Sequence, residues 1–307
     1  MAYTAKCDTA THTKWWITGT GTSVNRLSEV MDDNPSGVEE DDNPGNYQPW
    51  SEFMTEHVED AVYQIHQNFE IGDDTTSTTL ESPNEMVYFD QGINVETKIN
   101  ATLTIGEIVS TYSASGSKWS IKPATGTLCS LSNRGTVNIY GSIIEHRMDA
   151  GHISKPIAFG GPGNTTTIKN SIFIGSKYSH GNNSIDFNFG TISLEDVFFT
   201  GFGDIRIVPT PTKFQGVWIH DSINRCLEIA NNSGTVTING GNYTDVGSKT
   251  IHNYWTVSAL DIYLVNYEGD ASGITQSNVQ INHANSTINL QWTVNVRVTD
   301  KDGNNLS

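Results

Sequence analysis

Positive charge is scarce. The 307 residues hold 17 Lys+Arg against 34 Asp+Glu, a formal net charge of −17, and charged residues make up only 17%. Binding to nucleic acid or to an anionic membrane surface needs clustered Lys/Arg, so neither partner is expected. Cysteine is also scarce. Cys7, Cys129 and Cys226 lie far apart and form neither a disulfide framework nor a zinc pattern. Long apolar runs are missing, so no membrane insertion is expected. The first seven residues, Met1 to Cys7, lack the apolar core of a secretory leader, which points to synthesis and first residence in a cytoplasm. No Ser-His-Asp order, phosphate-cradling glycine loop or Cys/His metal spacing appears, so no cofactor and no metal are expected.

What is abundant is Gly, Asn, Thr and Ser, a mixture that favours strands and turns over helices. Residues 1–49 are polar, carry Asp32-Asp33 and the run Glu39 to Asp42, and are broken by Pro35, Gly37, Pro44 and Gly45. They read as an irregular anchoring arm. Residues 50–85 read as a capping helix and linker. Trp50, Phe53, Met54, His57, Val58, Ala61, Val62, Ile65 and Phe69 recur at three- and four-residue steps, and Ser51 stands where an N-cap would. His57 reads as packed within or beside that apolar face.

Residues 86–293 alternate short apolar segments with Gly/Asn/Ser turns, and seven of the segments superimpose without gaps. Their shared core position is Ile139, Ile168, Leu194, Phe214, Ile238, Ile262 and Ile288, at spacings of 29, 26, 20, 24, 24 and 26. Leu103 and Ile121 precede Ile139 at steps of 18 and extend the array upstream. An even core with an uneven period is what loop insertions in a solenoid produce. Two residues after the core position stand Gly141, Asn170, Asp196, Gly216 and Gly240, residue types that tolerate a left-handed corner; Leu264 and Leu290 break that pattern. A strand, a one-residue corner and a second strand cannot fold back as a hairpin. They form two sides of a coil, stacked in parallel at about 4.8 Å per rung.

On this Ile-x-Asn/Gly-x-x-Phe pattern the chain resembles the single-stranded right-handed parallel β-helix, or pectate-lyase-like, superfamily. The resemblance implies an all-β fold, a right-handed parallel β-helix solenoid with an N-terminal capping helix and an irregular arm. It leaves function open, because lyases, hydrolases, adhesins and phage spikes share the fold. The sugar-cleaving motifs of that superfamily do not match, so no catalytic residue is carried over. Glu195 with Asp196, Asp204, and His220-Asp221 with Glu228 are the carboxylates to watch as acid/base pairs. Residues 294–307 resemble the start of a truncated immunoglobulin-like β module and suggest a natural chain that runs on.

One further feature points outward. Four residues after the core position stand Ile143, Ile172, Phe198 and Trp218, followed by Asn242, Asn266 and Trp292. Strand alternation turns this position away from the interior, so the first four form a candidate partner-contact stripe. Side-by-side packing of identical chains is expected, with a homotrimer favoured by the resemblance to phage spikes. The leading expectation is a structural or adhesive virion-associated phage appendage (a fibre, spike or capsid-attached protein), assembled in the host cytoplasm. Its partners would be other virion proteins and a host-surface glycan. The alternatives are a carbohydrate-active glycoside hydrolase or lyase on the same fold, and a secreted, extracellular bacterial adhesin.

Overall fold

The computed structural model describes residues 4–18, 25–57, 62–71, 86–89, 94–97, 101–105, 118–121, 131–133, 135–146, 157–159, 163, 165–175, 184–230, 234–243, 249–253, 258–268 and 279–293. The chain is all-β apart from two short helices, and its strands form one 18-stranded and one 10-stranded sheet. The antiparallel pairings described all lie within residues 4–65, and every other pairing is parallel. Each turn of chain in the middle of the molecule gives two strands to the first sheet, on either side of a corner, and one to the second. Thr165–Ile174 and Ser184–Phe187 are followed by Thr191–Thr200 and Asp204–Ile207, then by Lys213–His220 and Arg225–Ile229. These parallel ladders fit the general pattern of a parallel β-helix.

Register shows how the interior is filled. Ile71, Ile105, Ile139, Ile168, Leu194 and Phe214 lie opposite one another on consecutive strands. Ile238, Leu264 and Leu290 form the same kind of column further on. Ile262 and Ile288 sit two residues earlier, opposite Val236, which corrects the alignment of the last two repeats. Upstream the predecessor of Ile139 is Ile105 rather than Leu103, which pairs with Val137, while Ile121 lies on a different strand and pairs with His146.

The reason for the two-residue shift is the corner. Gly141, Asn170, Asp196, Gly216, Gly240 and Asn266 all have φ between 51° and 70°. Asn266 follows Leu264 by two residues, as Gly141 follows Ile139. The last repeats therefore keep the corner, and Leu264 occupies a core position. Corner amides donate to the next winding, Gly141 N to Lys169 O at 3.1 Å and Asn266 N to Gln291 O at 2.8 Å. Asn tolerates this backbone region better than other side chains with a Cβ, because its short amide bonds locally.

The N-terminal region departs most from expectation. Residues 4–48 are not an irregular arm. Thr4–Cys7 pairs antiparallel with Lys14–Thr18 and parallel with Val38–Glu40, and Ala5, Cys7, Trp15 and Val38 are buried. A helix, Leu27–Asp33, lies between these strands. The helix expected over 50–69 shrinks to Trp50–Phe53, entered from Pro49 in extended conformation with no side-chain cap. It gives way to a hairpin, Met54–His57 against Val62–Ile65, and then to Asn68–Ile71. The three- and four-residue spacing is real, but Val62, Ile65 and Phe69 are strand formers, and pairing with the first windings outweighs weak helical propensity. The side chain of His57 lies outside the described residues.

This region still acts as a cap. Trp15 stacks on Phe69 at 3.9 Å between centroids and meets Trp50 edge-on at 5.7 Å. Trp50 Nε1 donates to Asn34 O at 2.9 Å. Apolar ring area thus closes one end of the stack, where bare strand edges would otherwise stand.

The acidic run belongs to the cap too. Glu39 pairs with Lys6 at 2.6 Å. Glu40 accepts from Gln48 Nε2 at 2.7 Å, Asn43 Nδ2 at 3.1 Å and His12 Nε2 at 2.9 Å. Hydrogen bonds, from Asn46 first and then Asn43, Gln48 and His12, outweigh burial and hold its carboxyl down to about 2. A depressed native value means that the stabilisation is complete above the ordinary value of 4.5 and is lost as pH falls towards about 2. Acidification through that window should therefore loosen the cap, with tryptophan emission shifting to the red. Glu40→Gln should be less stable at neutral pH and should flatten that stretch of the profile. An unchanged profile would refute the role of Glu40.

Candidate functional site

Two outward columns carry the distinctive chemistry. The first is apolar. Ile143 lies opposite Ile172, Ile172 opposite Phe198, Phe198 opposite Trp218, and Trp218 opposite Asn242. Their neighbours Ile144, Phe173, Phe199, Ile219 and Tyr243 form the matching inward column and are all buried. The four outward side chains are half-buried, shielded along the column by one another. Phe198 packs on the His220 ring at 4.9 Å, and Trp218 Nε1 donates to Glu268 Oε2 at 3.1 Å. Asn266 does not continue this column, because it forms a corner. Trp292, placed in the stripe by sequence alignment, follows Gln291, which pairs with Val265, and stands 57% exposed beside that corner.

The second column is ionic and lies on the 10-stranded sheet. Register places Asp186, Arg206, Glu228, His252 and Gln280 on consecutive strands. The alternate positions of those strands, Ile185, Ile205, Leu227 and Ile251, are buried in the core. Glu228 is the hub. Its carboxylate meets Arg206 Nε at 3.2 Å, Arg225 Nη1 at short range and His252 Nδ1 at 3.0 Å. An ionised carboxylate only accepts, so His252 donates from Nδ1. Its Nε2 then accepts from Asn282 Nδ2 at 3.3 Å. Burial pushes Glu228 up, but the bonds from His252 and Arg225 outweigh it and hold the carboxyl below its ordinary value. Burial dominates at Asp186 and Asp204, and both are raised.

The sequence-level carboxylate candidates therefore separate. Asp196 and Asp221 occupy left-handed corners, with φ of 53° and 50°. Glu195 is held between Lys213 at 2.7 Å and Lys169 at 3.5 Å. Asp204 accepts from the Arg225 amide at 3.0 Å and from Asn224 Nδ2 at 3.2 Å. Glu228 carries two guanidinium groups and an imidazole, in a side chain only 7% exposed. The Asp186–Arg206–Glu228–His252 ladder was missed in the sequence, because its members lie 20 to 24 residues apart and no local motif joins them.

Among the described residues, no group of three or more His, Cys, Asp or Glu is placed to hold a metal ion. No described helix is long and apolar enough to cross a membrane. The thiols of Cys7 and Cys226 are buried, and burial pushes Cys7 up to about 12 and Cys226 well above its ordinary value, so neither is an activated nucleophile. Cys129 and residues 294–307, with the expected β module, lie outside the described residues. The fold and these columns define an all-β protein with extensive parallel sheets. No protein-family model, curated protein or solved structure matches the chain.

Proposed function

We propose that this chain is a structural and adhesive protein. On this reading it is a right-handed parallel β-helix that projects as a stiff rod from a larger particle, as a phage virion fibre, spike or capsid-attached protein does. The observation that supports this most is the length of one uninterrupted register. The column from Ile71 to Leu290 passes through nine strands, and eight rung spacings of about 4.8 Å make it about 38 Å long. A core that continuous resists bending, because each winding is hydrogen-bonded to the next along its strands. The cap built from residues 4–69 closes one end, which suits a rod fixed at that end. The outward rungs carry Asn138, Thr167, Ser193 and Gln215, uncharged hydrogen-bonding groups suited to a protein or glycan surface. The ionic ladder supports the same reading, since its charges neutralise one another between windings and act as a clasp.

The test is location. Antiserum raised against the full chain should label particles purified on a density gradient from the cells that produce it, at a projecting feature. Labelling confined to the soluble fraction would overturn the appendage reading.

A further inference from the structure

We propose that the outward column Ile143–Ile172–Phe198–Trp218 is a contact face for a second copy of this chain, packed column against column. The proposal goes beyond the appendage role, because such an assembly would hold whatever the rod is attached to.

Three features of the face select that occupant. The first is repeat. The four side chains stand in strict register on consecutive strands, so the face has ridges every 4.8 Å or so along the stack. A second copy presents the same spacing, so ridges can interdigitate over the whole column, as in dry interfaces between sheets. A helix rises about 5.4 Å per turn and drifts out of step within a few rungs. The second feature is charge. Each copy carries −17, and two copies repel wherever carboxylates face each other. The column from Ile143 to Trp218 holds no charged residue, and on the strand before the corner Glu195 is neutralised by Lys169 and Lys213. The third is breadth. Ile174 and Thr200 lie two residues beyond Ile172 and Phe198 on the same strands, again outward and half-buried, and widen the apolar face without adding charge.

The probe is the protein itself. Light scattering on the full chain should give a mass that is a multiple of 33.6 kDa, three-fold if the copies close around a common axis. Because like-charged chains are being joined, association should tighten as NaCl rises from about 50 to about 500 mM. Phe198→Asp should weaken it by about tenfold or more while leaving the far-ultraviolet spectrum unchanged. If Phe198→Asp loses its strand spectrum, the milder Trp218→Gln carries the same test. Gln215→Asp, on the exposed rung before the corner, should leave the mass unaltered. A wild-type chain that stays monomeric at about 100 μM in high salt would overturn the proposal, as would folded Phe198→Asp and Trp218→Gln that assemble like wild type. Failure here leaves the particle-labelling result untouched, and the reverse holds as well.

Discussion

Gly241→Ala should be among the most destructive single substitutions in the described fold. A Cβ built there would lie 2.1 Å from Val217 O and 2.9 Å from Val217 C, at a φ of +84°. The obstacle is backbone of the preceding winding, which is locked in the ladder through Trp218–Asn242 and Ile219–Tyr243. It cannot retreat without breaking those pairings. The left-handed backbone adds strain of its own, of order 1–2 kcal/mol. The two together should cost about 3 kcal/mol or more, measured by urea unfolding. Gly45→Ala provides the control. It has a similar φ of +90° but nothing within 4 Å, so only the backbone term of about 1 kcal/mol should appear. Equal losses at the two sites would show that contact with the neighbouring winding is not what constrains Gly241.

Phe199→Ala should rank beside it for a different reason. Phe199 is fully buried and packs against Phe173 at 5.1 Å in the inward column after the corner. Truncation removes the ring and leaves a void between windings whose spacing is fixed by backbone hydrogen bonds, so the site cannot collapse. The expected loss is about 3–5 kcal/mol, or a fall in Tm of roughly 10 °C. Ile172→Ala, on the outward face of the same sheet, is half-buried and should cost the monomer about 1 kcal/mol. Comparable effects at the two positions would mean that inward and outward are assigned wrongly.

The contrast between these positions shows what was readable in the sequence. A strand two residues from a corner must put alternate side chains on opposite faces, so Ile168 inward and Ile172 outward followed from spacing alone. Gly, Asn and Asp at one recurring site marked the corner because few other residues accept φ near +55°. The misaligned last repeats had a physical cause as well. Ile262 and Leu264 are both aliphatic and both inward, since side chains two apart share a face. Hydrophobicity could not choose between them, whereas the corner at Asn266 could. The N-terminal region was misread because helical spacing and strand propensity both fit residues 50–69, and the choice depended on partners distant in the chain.

By itself the sequence determined the all-β character, the recurring corner, the inward column through Ile139, Ile168, Leu194, Phe214 and Ile238, and the apolar position four residues beyond it. These are local consequences of side-chain alternation and backbone sterics. Only the tertiary structure decided that residues 4–48 build a cap, that residues 54–71 are strands, and that Glu228 gathers Arg206, Arg225 and His252. Those outcomes depend on which strands become neighbours. Loops of unequal length set that pairing, and they leave no periodic signal along the chain.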